Sequence, residues 1–149
     1  MYRIVYMSRT AKELSDQELD TILREADVST AQGALSGMML YARSSFFHVM
    51  EGPQRRVEDG FERVFMDMRH ERIRVFQHRP IRCRRFKGFT MGFHRTSAVP
   101  PPRGFFELSQ SALWDRIPAE AAEDLRKLLK GYGEVKVEPA MVPECQPSV

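Results

Sequence analysis

The run Phe46-Phe47-His48-Val49-Met50-Glu51-Gly52-Pro53 constrains this chain more than any other stretch. Bulky, strand-preferring residues fill it as far as Glu51, and Gly52-Pro53 then stops the strand. Alternation places Phe46, His48 and Met50 on one face, with Phe47, Val49 and Glu51 on the other. A helical pattern follows at once: Val57, Phe61, Val64, Phe65 and Met68 form an apolar stripe from about Gln54 to His70. Arg56, Glu58, Asp59, Glu62, Arg63 and Asp67 supply its wetter sides. A histidine on a sheet face, among apolar neighbours and beside a long helix, needs either a partner or a ligand. Taken alone it reads as a core imidazole bonded to a backbone carbonyl, because buried polar groups are normally paired.

Around that strand the other elements fall into order. Tyr2 to Ser8 is a first strand, with Tyr2, Ile4 and Tyr6 on one face and Arg3, Val5 and Met7 on the other. Ser15 and Glu18 form a capping box for a helix whose buried side is Leu19, Ile22, Leu23 and Ala26, ending near Asp27. Val28 to Gly33 reads as a loop. Ala34 to Tyr41 is a second strand, and the short turn Ala42-Arg43-Ser44 makes it an antiparallel hairpin with the central strand. Ile73 to Gln77 is a further strand; Pro80 interrupts, Ile81 to Phe86 resumes with alternating arginines, and Phe89 to Phe93 closes the set. The order β-α-β-β-α-β-β predicts an α+β, ferredoxin-like fold: a five-stranded, mostly antiparallel sheet with both helices on one face. Shared strand phase puts Tyr6, His48 and Met91 on that helix-covered face.

Pro100-Pro101-Pro102 marks a boundary, so the chain divides into a sheet domain over 1–97, a C-terminal helical extension over 98–134 and a disordered tail over 135–149. In the extension a helix is expected from Pro118 to Lys130. The 149 residues carry a net charge of +3, too mild to mark a nucleic-acid binder. Cys83 and Cys145 lie far apart with no partner at metal-ligand spacing, which implies a reduced, cytoplasmic protein. No apolar run reaches membrane-spanning length. Lys87 to Phe93 has a slight likeness to the aromatic strand of an RNA-recognition fold, but it follows both helices instead of preceding the second, and a half-buried edge strand accounts for it better. The four histidines show no metal-ligand spacing, and no nucleophile elbow, phosphate loop or paired carboxylate is present. The residues therefore do not point to an enzyme.

A set of segments in fixed order carries more information: Arg3-Ile4-Val5-Tyr6-Met7-Ser8, Leu35-Ser36-Gly37-Met38-Met39-Leu40-Tyr41, Phe46 to Gly52, Arg63 to His70, Pro80-Ile81-Arg82 and Phe86-Lys87-Gly88-Phe89-Thr90-Met91. Jointly, over roughly Tyr2 to Phe93, they resemble the BLUF domains, blue-light sensors that bind a flavin. The resemblance implies that two helices flank the flavin ring and that Tyr6 is the electron and proton donor to the excited flavin. It implies that Thr30 stands where the family has an Asn on the pyrimidine edge of the ring, and His48 where the family has its switching Gln. Arg63, Asp67, Arg69 and His70 match residues lining the flavin or its ribityl-phosphate side. Met91 matches a Met near the switching Gln, and Phe89 stands where many members carry Trp.

Two of these positions depart from the pattern. Thr30 has one hydroxyl and cannot present the donor–acceptor pair of an amide. His48 is a rigid ring with one donor and one acceptor, whereas a carboxamide can exchange its ends. Below roughly pH 6.5 an unperturbed imidazole there would become a double donor. The resemblance thus implies FAD (or FMN) as cofactor, held weakly, with an altered or lost photocycle. It implies signalling through an unidentified protein partner or a second copy in a homo-oligomer, with no nucleic acid or membrane involved. The alternative is a flavin-free interaction scaffold that keeps the fold.

Overall fold

The structure, a computed structural model, describes residues 1–130. Its elements are β1 (Tyr2–Arg9), α1 (Asp16–Ala31), β2 (Ser36–Ala42), β3 (Ser45–Gly52), α2 (Gln54–Met66), β4 (Glu71–Pro80), β5 (Phe89–Phe93), β6 (Phe105–Glu107), α3 (Gln110–Arg116) and α4 (Ala122–Lys130). The strands form one sheet in the order β4-β1-β3-β2-β5-β6. The ferredoxin-like α+β plan holds, but the sheet has six strands, not five. It is also mixed: β1, β2, β3 and β4 pair antiparallel, whereas β5 runs parallel to both β2 and β6. β2 and β5 can run parallel because α2 and β4 intervene and supply the crossover.

Three local expectations change. The capping box forms as read: Ser15 Oγ accepts from Glu18 N at 3.2 Å, and Ser15 N donates to Glu18 Oε2 at 2.8 Å. The helix, however, runs on to Ala31, because nothing between Val28 and Ala31 breaks it. It stops at Gly33, whose φ of 68° suits glycine and whose N–H donates to Thr30 O. Thr30 thus sits in a helical turn and not in a loop. α2 ends at Met66, not His70. Asp67 Oδ1 accepts from Arg69 N at 2.9 Å, a side-chain turn that competes with helix continuation. Phe65 and Met68, read as part of the buried stripe, are consequently 65% and 96% exposed.

The segment from Ile81 to Phe86 is not a strand. Its amides are drawn to a side chain: Arg85 N and Phe86 N donate to Glu51 Oε2 at 2.7 and 3.0 Å. Glu51 is fully buried, and its other oxygen accepts from Arg3 Nε and Nη2 at 2.8 and 2.6 Å. One carboxylate thereby ties β1, β3 and the segment after β4 together.

Both sheet faces are covered. α1 and α2 lie over Ile4, Tyr6, Met39, Tyr41, Phe46, Met50, Met91 and Phe93. On the reverse face Val5, Met38, Leu40, Phe47 and Val49 pack against Phe86, Phe106 and Leu113, Ile117, Ala121, Leu125 and Leu129 of the C-terminal segment. Of the single helix expected over 118–130, a short turn spans Ala119–Ala121 and α4 follows; a further helix, α3, precedes it on a Ser109 cap. The tail over 135–149 lies outside the described residues. No helix among the described residues is long and apolar enough to cross a membrane.

Candidate functional site

Strand register sets one row of side chains across four strands. Tyr6 of β1 faces His48 of β3, His48 faces Met39 of β2, and Met39 faces Met91 of β5. Since period-2 alternation holds in each strand, the whole row points to the face beneath α1 and α2. The helices straddle the row and leave a cleft of about 460 Å³ between them, within the size range of small-molecule pockets. Its floor is Met39, His48, Met50 and Phe89. One wall is Ile22, Glu25, Ala26, Ser29 and Thr30 of α1, and the other is Arg56, Asp59, Gly60, Arg63 and Val64 of α2, followed by Asp67, Arg69 and His70. Gly60 permits this closeness: a Cβ there would lie 2.9 Å from Met50 Sδ.

Tyr6 Oη and His48 Nδ1 are 2.8 Å apart, and both residues are buried, at 0% and 5% exposed. Burial, then the charge of Asp67, pushes the phenol above its ordinary value. It therefore stays protonated and, with no other partner among the described residues, donates to Nδ1. That assigns the imidazole hydrogen to Nε2. Burial, then the neighbouring His70, lowers His48 to about 3. The double-donor form expected below about pH 6.5 is thus displaced far into acid, because a cation in this site has lost its water. Aromatic edges enclose the pair: Phe61 lies 5.4 Å from the Tyr6 ring and Phe89 lies 5.7 Å from the His48 ring.

His70 Nδ1 pairs with Ser8 Oγ at 2.7 Å, and its ring lies 4.9 Å from Phe46. Burial lowers its pKa, Asp67 opposes that, and Arg69 adds to it. Arg69 grips both Asp67 oxygens at 2.7 to 3.1 Å, which holds the carboxyl below and the guanidinium above their ordinary ranges. Arg56 and Arg63 make no ion pair among the described residues, so the mouth of the cleft carries two available cations. Thr30 Oγ1 donates back to Ala26 O at 3.0 Å, spending its one hydrogen within the helix.

Of the eight residues read from the sequence, Thr30, His48, Arg63, Asp67, Arg69 and His70 line the cleft. Tyr6 stands behind His48, and Met91 is fully buried beyond Met39 and does not reach the cleft. The sequence reading left out Met39, Met50 and Gly60 as walls and Ser8 as the partner of His70. Ser8 and Met50 share a strand face with Tyr6 and His48, so alternation carried the signal for both. The donor set suits a flat, largely apolar ring with an acceptor edge and an anionic tail. His48 Nε2–H would face such an edge, apolar floor and wall residues its faces, and Arg56 and Arg63 its tail. Thr30 offers lone pairs only. A flavin has that form.

A sheet-floored cleft between two helices, with a buried phenol–imidazole pair at its base, defines a small-molecule-binding α+β module. A family model described as "BLUF: Sensors of blue-light using FAD" matches residues 1–92, and the chain belongs to that family of flavin-binding blue-light sensors. The photoactivated adenylate cyclase subunit beta of Euglena gracilis is 28% identical over 131 residues, covering 83% of this chain and 15% of that protein. The chain therefore spans about 15% of that relative's length. Among solved structures, BlrP1 of Klebsiella pneumoniae with FMN and cyclic diGMP superposes at a TM-score of 0.65 with 20% identity, covering 88% of this chain and 34% of that one. BlrB, a BLUF protein in its dark state, gives 0.58 with 24% identity over 85% and 82% of the two chains. These structural likenesses speak for the fold.

Proposed function

We propose that this chain takes a flavin, FAD or FMN, into the α1–α2 cleft and reports blue light through protein contacts, to an unidentified partner or a second copy. The observation that carries this reading is the cleft floored by His48, with Nδ1 committed to Tyr6 and Nε2–H left for a ligand's acceptor edge. A bound flavin would supply visible absorption and, once excited, a one-electron oxidant. The chain supplies the rest. Phe89, Met39 and Met50 exclude water from the ring faces, His48 fixes one edge, and Arg56 and Arg63 neutralise a phosphate tail. With Nδ1 held on Tyr6, the His48 ring cannot turn end for end as a carboxamide can, so illumination gives no lasting red shift.

Relative to a double variant carrying Thr30→Asn and His48→Gln, the native site lacks about two ring-edge hydrogen bonds, worth roughly 1–3 kcal/mol together. That corresponds to about a five- to 150-fold weaker binding. The test is titration of the native chain and of this double variant with riboflavin, FMN and FAD, with difference spectra before and after illumination. Tighter binding and a partial, reversible red shift in the double variant alone support the reading. A native protein that stays colourless at saturating flavin favours the scaffold reading instead. That reading has its own support, since Thr30 Oγ1 and His48 Nδ1 are both spent on protein partners.

A further inference from the structure

We propose that a second pocket, between the 84–90 segment and the end of α3, binds a small phosphate monoester that also carries hydroxyl groups. Its volume is about 560 Å³, inside the range of small-molecule sites. Phe89 is the one lining residue that it shares with the α1–α2 cleft, so the proposal does not depend on the flavin reading.

The two sides of this pocket carry opposite charge. Arg84, Arg85 and Lys87 line one side, and Asp115 and Glu120 line the other beside Arg116. No ion pair among the described residues joins them. Arg84 Nη2 donates to Gly33 O and Ala34 O at 2.8 and 3.2 Å, and Arg116 lies 5.3 Å from the centre of the Phe106 ring. The cations therefore keep their charge uncompensated by any carboxylate, and they repel one another.

The backbone on both sides is fixed before a ligand arrives. Arg85 N and Phe86 N are held by the buried Glu51 carboxylate, and Gly88 O accepts from Gly37 N at 2.9 Å. Across the pocket, Ile117 and Ala121 are buried in the core beneath the sheet. Sides anchored in this way keep the opposite charges apart and lower the cost of ordering a bound molecule. A ligand that spans the gap must present an anion to one side and hydrogen-bond donors to the other. Arginine forks and a lysine ammonium match the oxygens of a phosphate, and several cations suit a dianion better than a single carboxylate. Hydroxyls complete the match, because they can donate to Asp115 and Glu120. Inorganic phosphate satisfies only the cationic side.

The experiment is isothermal titration calorimetry of the purified full chain without flavin, at constant ionic strength, with ribose 5-phosphate, inorganic phosphate, ribose and succinate. The expected result is saturable binding of ribose 5-phosphate, weaker binding of inorganic phosphate and none of ribose. Arg85→Gln and Lys87→Gln, both at exposed positions, should each weaken ribose 5-phosphate about ten- to 150-fold, the worth of one charge-assisted hydrogen bond. Asp115→Ala combined with Glu120→Ala should weaken ribose 5-phosphate while leaving inorganic phosphate as tight or tighter, since the repelling carboxylates are gone. Circular dichroism of each variant should match the native chain. Absence of saturable ribose 5-phosphate binding, or succinate bound as tightly, overturns the proposal. So does a loss of binding in Arg63→Gln but not in Lys87→Gln, which would put the phosphate in the α1–α2 cleft instead.

Discussion

Acid should unfold this protein early, and His48 is the reason. In the unfolded chain its imidazole titrates near 6.5, whereas in the fold burial, and then His70, lowers it to about 3. Between those values the unfolded state binds a proton that the folded state refuses. Stability is therefore complete above about pH 6.5 and falls as pH drops through the window, by at most about 1.4 kcal/mol per pH unit for each such group. At about pH 4.5 the His48 contribution alone amounts to roughly 2–3 kcal/mol, a large part of an ordinary domain's 5–15 kcal/mol or so. His70, also lowered by burial, adds to the slope in the same direction. Asp67 acts in the same sense but later, since Arg69 holds its carboxyl low and its stabilisation disappears only as pH falls through the carboxylate range.

The assay is urea unfolding followed by circular dichroism at steps from about pH 7 to pH 4.5, for native and His48→Gln protein. A carboxamide can hold Tyr6 Oη by the same hydrogen bond but does not titrate. The native curve should fall more steeply than the variant curve, and the gap between them should change by roughly 2–3 kcal/mol across the window. Parallel curves would mean that the folded protein protonates His48 as readily as the unfolded chain. The neutral, Nδ1-accepting imidazole at the base of the cleft would then be the wrong species.

Glu51→Gln should cost roughly 3–5 kcal/mol in the same unfolding assay, because it leaves the buried Arg3 guanidinium without its counter-charge. Gly37→Ala places a Cβ 1.9 Å from Val49 O at a φ of 151°, so a loss on the order of 3 kcal/mol or more, or failure to accumulate as folded protein, is expected. Leu125→Ala should cost about 2–5 kcal/mol, whereas Asp124→Ala, which breaks only the exposed pair with Arg79, should cost less than about 1 kcal/mol.

The phase of each strand was legible because it depends on a two-residue period that no tertiary contact alters. Tyr6, His48 and Met91 accordingly share the face assigned to them. The bond between Tyr6 and His48 was not legible, since it depends on the register between strands whose paired residues lie 42 positions apart. The same limit hid Glu51: a lone carboxylate on an apolar strand gives no sign that two backbone amides more than 30 residues away will lie on it. Helix ends failed for local reasons of opposite sign. α1 passed through residues of middling propensity until Gly33 stopped it, and α2 was cut short by an aspartate turn that an apolar stripe cannot reveal. β6, three residues long, was hidden behind the proline run.

His48 also explains why the two sides of the sheet bear on one another. On β3 it alternates with Phe47 and Val49, which support the C-terminal helices from the reverse face. A neutral imidazole in this position is held by one hydrogen bond to Tyr6 and by aromatic edges, with no second polar partner among the described residues to absorb a change of charge. If a proton arrives at Nδ1, the cation faces His70, which disfavours it, and very little water. Asp67, whose charge acts on Tyr6 and His70, is bound by Arg69 just past the end of α2. The residues left exposed by that early termination, Phe65, Met66 and Met68, lie on the same stretch. The carboxylate whose charge Tyr6 and His70 feel at the base of the cleft is thus the one that also accepts in the turn ending α2.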